Sequence, residues 1–269
     1  MKIAFAGKGG TGKTTLAGAM ITLLARHRKV LAVDADPNSN LANVLGIPNG
    51  SAIKPIVEMR DLIYDRMEIK PDITPGPVPG SFYKLNPRID DIPEKFMRKR
   101  NNVNLIVMGT VDAGGSGCVC PESTFLRELL KHLVLNEKED IVMDMEAGIE
   151  HLGRSTAGSM DCLVIVVEPT LTSIETAGRI KRLAQDLKMN TRFIGNKIKT
   201  KQDEDFIIKK LGEGTILGTV SFYQDMNRID KGGSIMDLPH DAGILLEVDK
   251  ILKSLTKMES SDEQKKVTG

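Results

Sequence analysis

Tryptophan is absent from this 269-residue chain, and aromatic residues make up only 4% of it. That leaves little material for the base-stacking platforms of single-strand binders or for an aromatic belt at a membrane surface. Charge of one sign is missing as well. The 37 Lys and Arg residues face 36 Asp and Glu, a formal net charge of +1, which removes broad attraction to DNA or anionic lipid and leaves only local patches. Cysteine occurs three times, at Cys118, Cys120 and Cys162, too few for a disulfide framework. No apolar run approaches the ~18 residues of a membrane-crossing helix. Met1 leads straight into a strand-like run and a glycine loop rather than a signal peptide. Together these absences predict a reduced, cytoplasmic protein with neither nucleic acid nor membrane as a partner, any membrane contact being peripheral.

What is present is a rhythm. Short β-branched apolar runs at Lys2–Ala6, Val30–Val33, Leu105–Met108, Ile141–Met143, Leu163–Val167, Arg192–Ile194 and Thr215–Val220 suit strands buried on both faces of a parallel sheet. Between them, Thr14–Arg26, Pro121–Leu135, Ser173–Leu187 and Asp203–Leu211 show helical spacing, with Ser39 and Ser173 as N-caps. The alternation predicts an α/β fold, a single domain over 1–258 with a mostly parallel central sheet flanked by helices. Two regions break the rhythm. An insertion around 47–104, helical in part over Ile56–Met67, carries a Pro- and Gly-rich stretch from Thr74 to Gly80 and a basic run from Lys95 to Arg100. Residues 259–269 are charged and polar without apolar periodicity and read as a flexible tail.

Gly7-Lys8-Gly9-Gly10-Thr11-Gly12-Lys13-Thr14-Thr15 follows the first strand, opens the first helix and fits the P-loop pattern G-x-x-x-x-G-K-[ST]. Glycines let backbone amides wrap phosphate oxygens at a helix N-terminus. Gly9, Gly10, Thr11 and Gly12 form that wrap; Lys13 is placed to bridge the β- and γ-phosphates of ATP, Thr14 to ligate Mg²⁺, and Thr15 to reach the α-phosphate. The domain is therefore a P-loop NTPase.

Asp34-Ala35-Asp36-Pro37 closes the second strand at the edge where ligands of parallel sheets bind, with Asp34 and Asp36 on one side by alternation. Ile141-Val142-Met143-Asp144 has the Walker B form, giving Asp144 to Mg²⁺ directly or through water. Gly148 just beyond can sense a γ-phosphate through its amide. Asn196 and Lys197 follow the sixth strand, and an Asn can pair with an adenine edge.

Lys8, a second lysine in the loop, resembles the signature of the deviant Walker A group that includes MinD, ParA and the nitrogenase iron protein. That resemblance implies an ATP-dependent homodimer in which Lys8 reaches the partner's nucleotide. It also implies that Asp36 orients the attacking water besides serving the Mg²⁺ site, that the segment to Asn40 is switch I, that the segment from Asp144 is switch II, and that Asn196 meets adenine. The proline that many relatives place beside the base has no counterpart in Val220-Ser221-Phe222-Tyr223.

Gly117-Cys118-Val119-Cys120-Pro121 sets two thiols one residue apart. They can face one metal but supply two ligands where a closed soft-metal site takes four. A symmetric dimer supplies the other two. Cys162 begins an apolar strand and reads as a small core residue. His151 can be a ligand or base, though a structural or client-contact role fits it better. The loop, D-A-D-P-N-S-N-L, G-C-V-C-P and above all D-M-E-A-G-I-E-H-L-G-R resemble the CooC-type ATPases that mature carbon monoxide dehydrogenase or, in a sister branch, acetyl-CoA synthase. The resemblance implies ATP hydrolysis coupled to nickel insertion into that client, with Ni²⁺ or Zn²⁺ held by Cys118 and Cys120 across the dimer. Two rivals are a MinD- or ParA-like spatial regulator and an iron–sulfur carrier ATPase. Against the first, the apolar stripe Ile244, Leu245, Val248, Ile251, Leu252 and Leu255 reads as a core helix rather than a membrane anchor. Against the second, Cys162 is badly placed as a second cluster ligand.

Overall fold

A computed structural model describes residues 1–69, 83–110, 121–136, 138–149, 152–226, 229 and 231–267, the side chains of 258–267 excepted. Eight strands form one sheet: β1 (Lys2–Gly7), β2 (Val30–Ala35), β3 (Arg98–Arg100), β4 (Val103–Val107), β5 (Asp140–Met145), β6 (Cys162–Val167), β7 (Thr191–Ile198) and β8 (Ile216–Ser221). Their order is β3-β4-β2-β5-β1-β6-β7-β8. Every neighbouring pair is parallel except β3 with β4. Alternation along the strands divides the core in two. Ile3, Phe5, Val164 and Val166 face a layer made by α1 (Lys13–Ala25) and the last helix, while Ala4, Ala6, Leu163 and Ile165 face the other layer. That second layer includes α3 (Arg60–Arg66), α5 (Pro121–Asn136), α7 (Leu171–Asp186) and α8 (Lys201–Leu211). Both faces are covered, as the near-continuous apolar runs require.

The insertion is more regular than its sequence. α2 (Leu41–Val44) lies just before it, and its described residues include a 3-10 turn at Ile56–Glu58, then α3, α4 (Ile92–Phe96) and β3. The stretch Ile56–Met67 is helical in part, as expected, its two helical pieces separated at Met59, whose φ of −87° and ψ of 63° are not helical. The basic run supplies an eighth, antiparallel edge strand absent from the seven expected. Charged residues there are the usual protection of an exposed sheet edge. Arg100 anchors it, donating to the Leu45 carbonyl, to Ser234 Oγ at 2.7 Å and to Asp237 Oδ1 at 2.6 Å. The stretch from Thr74 to Gly80 lies outside the described residues.

Both expected N-caps are corrected. Ser39 sits in the left-handed region at φ 47°, and Leu41 N is satisfied from a distance by Asp34. Ser173 lies inside α7; Thr170 is the cap and accepts from Ser173 N, while Ser173 Oγ accepts from Glu168 N. A short helix, α6 (Arg154–Ala157), lies between β5 and β6, and the last helix is α9 (Gly243–Val267). It carries 259–267 in helical form, beyond its last described core residue, Leu255. Each residue added to a formed helix needs no new nucleus, so a packed stem can extend through a polar sequence.

The burial pattern predicts where stability resides. Ile165→Ala, in the centre of the sheet and fully buried, is expected to lower unfolding free energy by about 2–5 kcal/mol. Lys99→Ala, exposed on the edge strand, is expected to stay within about 0.5 kcal/mol. Urea titration of both variants checks the contrast.

Candidate functional site

The phosphate loop leaves β1 at Gly7 and enters α1 at Lys13. Gly12 stands at φ 88°, and a Cβ there would lie 2.4 Å from Asn196 Nδ2, so only glycine suits both the turn and its neighbour. α1 begins with no side-chain cap and no acidic residue in its first turn. Its N-terminal amides and the positive end of its dipole are thus directed at an anion. Gly9, Gly10, Gly12, Lys13, Thr14 and Thr15 line a cleft of about 950 Å³, which also takes in Asp36, Asn38, Asn40, Asn196, Lys197 and the segment Ser221–Tyr223. Thr11 is fully buried and does not line it; its hydroxyl donates to Lys8 O at 2.9 Å. Lys8 is half-buried and makes no ion pair among the described residues.

Three carboxyl groups and one ammonium occupy the sheet edge beside this loop. Lys13 Nζ lies 2.8 Å from Asp36 Oδ2, both side chains under a tenth exposed. Burial pushes the Asp36 carboxyl up, but the Lys13 ammonium and the amides of Asn38 outweigh it and hold it below the usual carboxylate range. Asp144 is fully buried, and neither of its carboxylate oxygens has a hydrogen-bond partner among the described residues. Burial raises it to about 7 against the lowering influence of the Thr14 hydroxyl and the Lys13 charge. Asp34, also fully buried, is register partner to Asp144 across β2 and β5. Burial and the Asp144 charge raise it to about 8, against two amide donors. A carboxylate stranded in the interior is costly unless something neutralises it. Asp144, with Thr14 alongside, therefore fits a small divalent cation of the kind that keeps few protein ligands and takes the rest from phosphate and water.

Asn196 and Lys197 are brought to the site but grip the loop itself. Asn196 Nδ2 donates to Thr11 O at 2.7 Å, and Lys197 Nζ donates to Gly10 O while lying 3.6 Å from Glu168 Oε2. Lys197 holds φ 60° at a register shift between β7 and β8. Asn196, expected to meet adenine, here braces the loop, a role that spacing alone does not show. Gly148 lies past β5 and is not among the cleft-lining residues. Cys118, Cys120 and His151 lie outside the described residues. Among the described residues no group of three or more His, Cys, Asp or Glu is arranged to hold a metal ion. Cys162 is buried in β6, as a core residue should be.

The family resemblance pointed to Val220–Tyr223 as the stretch beside the base, and Ser221, Phe222 and Tyr223 do line the far wall of the cleft; what sequence reasoning missed is what they meet there. Phe222 is 46% exposed with the Lys199 ammonium 4.6 Å from its ring centroid. Ser221 donates through N and Oγ to the Glu247 carboxylate, both at 2.8 Å. Burial, then the Glu247 charge, push the neighbouring Tyr223 phenol up to about 12. Met226, Ile229 and Ile244 complete an apolar floor there. These residues come from β8, the loop after it and α9, and no local pattern unites them.

Residues 2–235 match the profile of the CobQ/CobB/MinD/ParA nucleotide binding domain. The chain is 42% identical to the carbon monoxide dehydrogenase accessory protein CooC of Rhodospirillum rubrum, over 87% of this chain and 88% of that one. It is 40% identical to an uncharacterized ATP-binding protein of Methanocaldococcus jannaschii, over 97% and 100% of the two chains. Among solved structures, MinD from the Aquifex aeolicus MinC:MinD complex superposes with a TM-score of 0.66 at 22% identity, covering 96% of each chain. A ParA family ATPase from Chlorobium tepidum gives 0.66 at 19%, covering 93% of this chain and 98% of the other. At such identities these two report the shared fold.

Two outcomes follow from the geometry. Gly12→Ala is expected to weaken ATP binding by about tenfold or more, since the left-handed strain alone is worth roughly 1–2 kcal/mol; titration with a fluorescent ATP analogue measures it. Binding that needs ionised Asp144 is expected to release a proton near neutrality. Affinity for Mg·ATP should fall as pH drops through 7, by up to about tenfold per unit. Calorimetry at pH 6.5 in buffers of different ionisation enthalpy reads that proton, and identical heats would contradict it. Folding stability runs the other way for these groups. The raised Asp34 and Asp144 contribute stability below their unfolded value of 3.8 that is lost as pH climbs through about 7 and 8, while the lowered Asp36 contributes above 3.8 and is lost on acidification.

Proposed function

The chain belongs to the CobQ/CobB/MinD/ParA nucleotide-binding family, and from that premise we propose that its ATP hydrolysis serves the maturation of a nickel–iron–sulfur enzyme, carbon monoxide dehydrogenase or acetyl-CoA synthase. It is an ATPase of this family, with the phosphate loop as its catalytic centre. The observation that carries the narrower reading is its likeness to CooC along nearly the whole chain, a far closer relation than to the MinD and ParA structures.

In this reading the amides of Gly9–Gly12 and Lys13 bind the phosphates, while Thr14 and Asp144 would hold Mg²⁺, which would neutralise charge on the transferring phosphoryl group. Asp36 exchanges its pairing with Lys13 for the attacking water, which it orients. Asn196 and Lys197 keep the loop carbonyls turned outward so that its amides stay turned inward. Lys8, without an ion pair among the described residues, reaches the nucleotide of the second protomer, making hydrolysis depend on the homodimer. Cys118 and Cys120 of each protomer then form a shared thiolate site for the Ni²⁺ or Zn²⁺ cargo. Thiolates lose protons on binding, so metal uptake weakens as pH falls. The apolar stripe of α9 supports this over a membrane-bound regulator: Ile244, Leu245, Val248, Ile251 and Leu255 are all buried in the core. No helix among the described residues is long and apolar enough to cross a membrane.

Lys13→Ala is expected to lower ATP turnover by about 10²-fold or more, and Lys8→Ala to spare nucleotide binding while abolishing ATP-driven dimerisation, followed by sedimentation. Titration with Ni²⁺ and Zn²⁺ is expected to give one metal per two chains by ligand-to-metal absorbance. Unchanged binding in the double variant Cys118→Ser/Cys120→Ser would reject the shared site.

A further inference from the structure

Asp34 has no part in the chemistry above, yet backbone amides from two separate segments end on it. Its carboxyl accepts Asp36 N on Oδ1 at 3.2 Å and Leu41 N on Oδ2 at 3.0 Å. The two bonds close residues 34–41 into one loop. α2 is too short to hold itself and Asn40 gives it no side-chain cap, so Asp34 does that capping from the sheet. On its other side, the Asp34 carbonyl accepts Met108 N at 2.8 Å and Gly109 N at 3.2 Å. Gly109 stands at φ 69°, where a Cβ would lie 2.8 Å from Val57 Cγ1 and 3.0 Å from Pro55 Cβ. The chain therefore turns sharply just where it leaves β4 toward the segment bearing Cys118 and Cys120.

We propose that Asp34 is a positioning residue that transmits the occupancy of the phosphate site to the 108–110 turn at the root of the cysteine-bearing segment. The input is the Lys13–Asp36 pair: phosphate oxygens compete for the same ammonium, giving Asp36 two discrete partners. A move of Asp36 acts on the Asp34 carboxyl through the Asp36 amide. Asp34 has only two rotatable side-chain bonds, and its carbonyl carries the other turn. Coupling then travels through contiguous hydrogen bonds with a two-state element at one end, which is the physical requirement for it. The inference rests on the proposed function for phosphate binding at Lys13 and for the role of the cysteine segment; the coupling itself needs no nickel or zinc.

The test is amide hydrogen exchange on the full chain, with and without Mg²⁺ and a non-hydrolysable ATP analogue. In the wild type, peptides covering 35–41 and 106–110 are expected to change protection together, by about threefold or more. Asp34→Asn keeps the shape but sets an amide donor against one of the two backbone donors. In that variant the 106–110 response should vanish while the 35–41 response remains. Its ATP affinity should stay within about threefold, with kcat down about tenfold at little change in KM. A wild-type response confined to 35–41 would overturn the proposal, and that arm decides the matter even if the variant does not fold. An undiminished 106–110 response in a folded Asp34→Asn protein would overturn it equally. Failure of metal binding in the cysteine variants would instead strike the nickel reading and leave this coupling intact.

Discussion

The register of three central strands is the constraint on which the site depends. β5 lies between β1 and β2, pairing Phe5 with Asp144 on one side and Asp34 with Asp144 on the other. Two carboxyl groups are thus buried next to each other at the carboxyl edge, directly under the strand that feeds the phosphate loop. Water is excluded there, so burial raises both carboxyls, the Asp144 charge raises Asp34 further, and the Asp36 charge raises Asp144. Lys13 is the compensating cation, paired with Asp36 and lowering Asp144 through its charge. A shift of β5 by one residue would turn Asp144 to the opposite face of the sheet and leave the loop without its cation partner.

Around this centre the fold uses braces rather than bulk. Asn196 and Lys197 hold two carbonyls of the phosphate loop, and Gly12 makes room for the first of them. Arg100 draws the edge strand to the loops at Leu45 and Ser234. Bridges of this kind fix loops that have little apolar surface of their own to bury, and such loops are where stability is lowest and motion is available. A site whose partners must exchange during turnover has reason to be built in that way.

Much of this was legible in the residues. The alternation of strand and helix survived into the structure because the strands are buried on both faces, and a continuous apolar run can serve few other purposes. The phosphate loop was legible because its function is mostly backbone conformation, which glycine spacing reports directly. The errors fell where tertiary context overrides local preference. Ser39 and Ser173 are good caps by type, yet Asp34 and Thr170 took those positions. The edge strand Arg98–Arg100 has no apolar pattern, because only one neighbour needs it. The polar end of α9 is helical as an extension of a packed stem.

By itself, the sequence carried the glycine loop between β1 and α1, the aspartate near the end of β5, the α/β class and the family likeness, since each is written in adjacent residues whose chemistry is local. Only the tertiary structure decided that Asp34 meets Asp144, that Asn196 and Lys197 clasp the loop, and that Ser221, Tyr223 and Glu247 form one wall of the cleft. Those contacts join residues from distant parts of the chain. Their distances are set by strand register and helix packing, which no spacing within a single segment encodes.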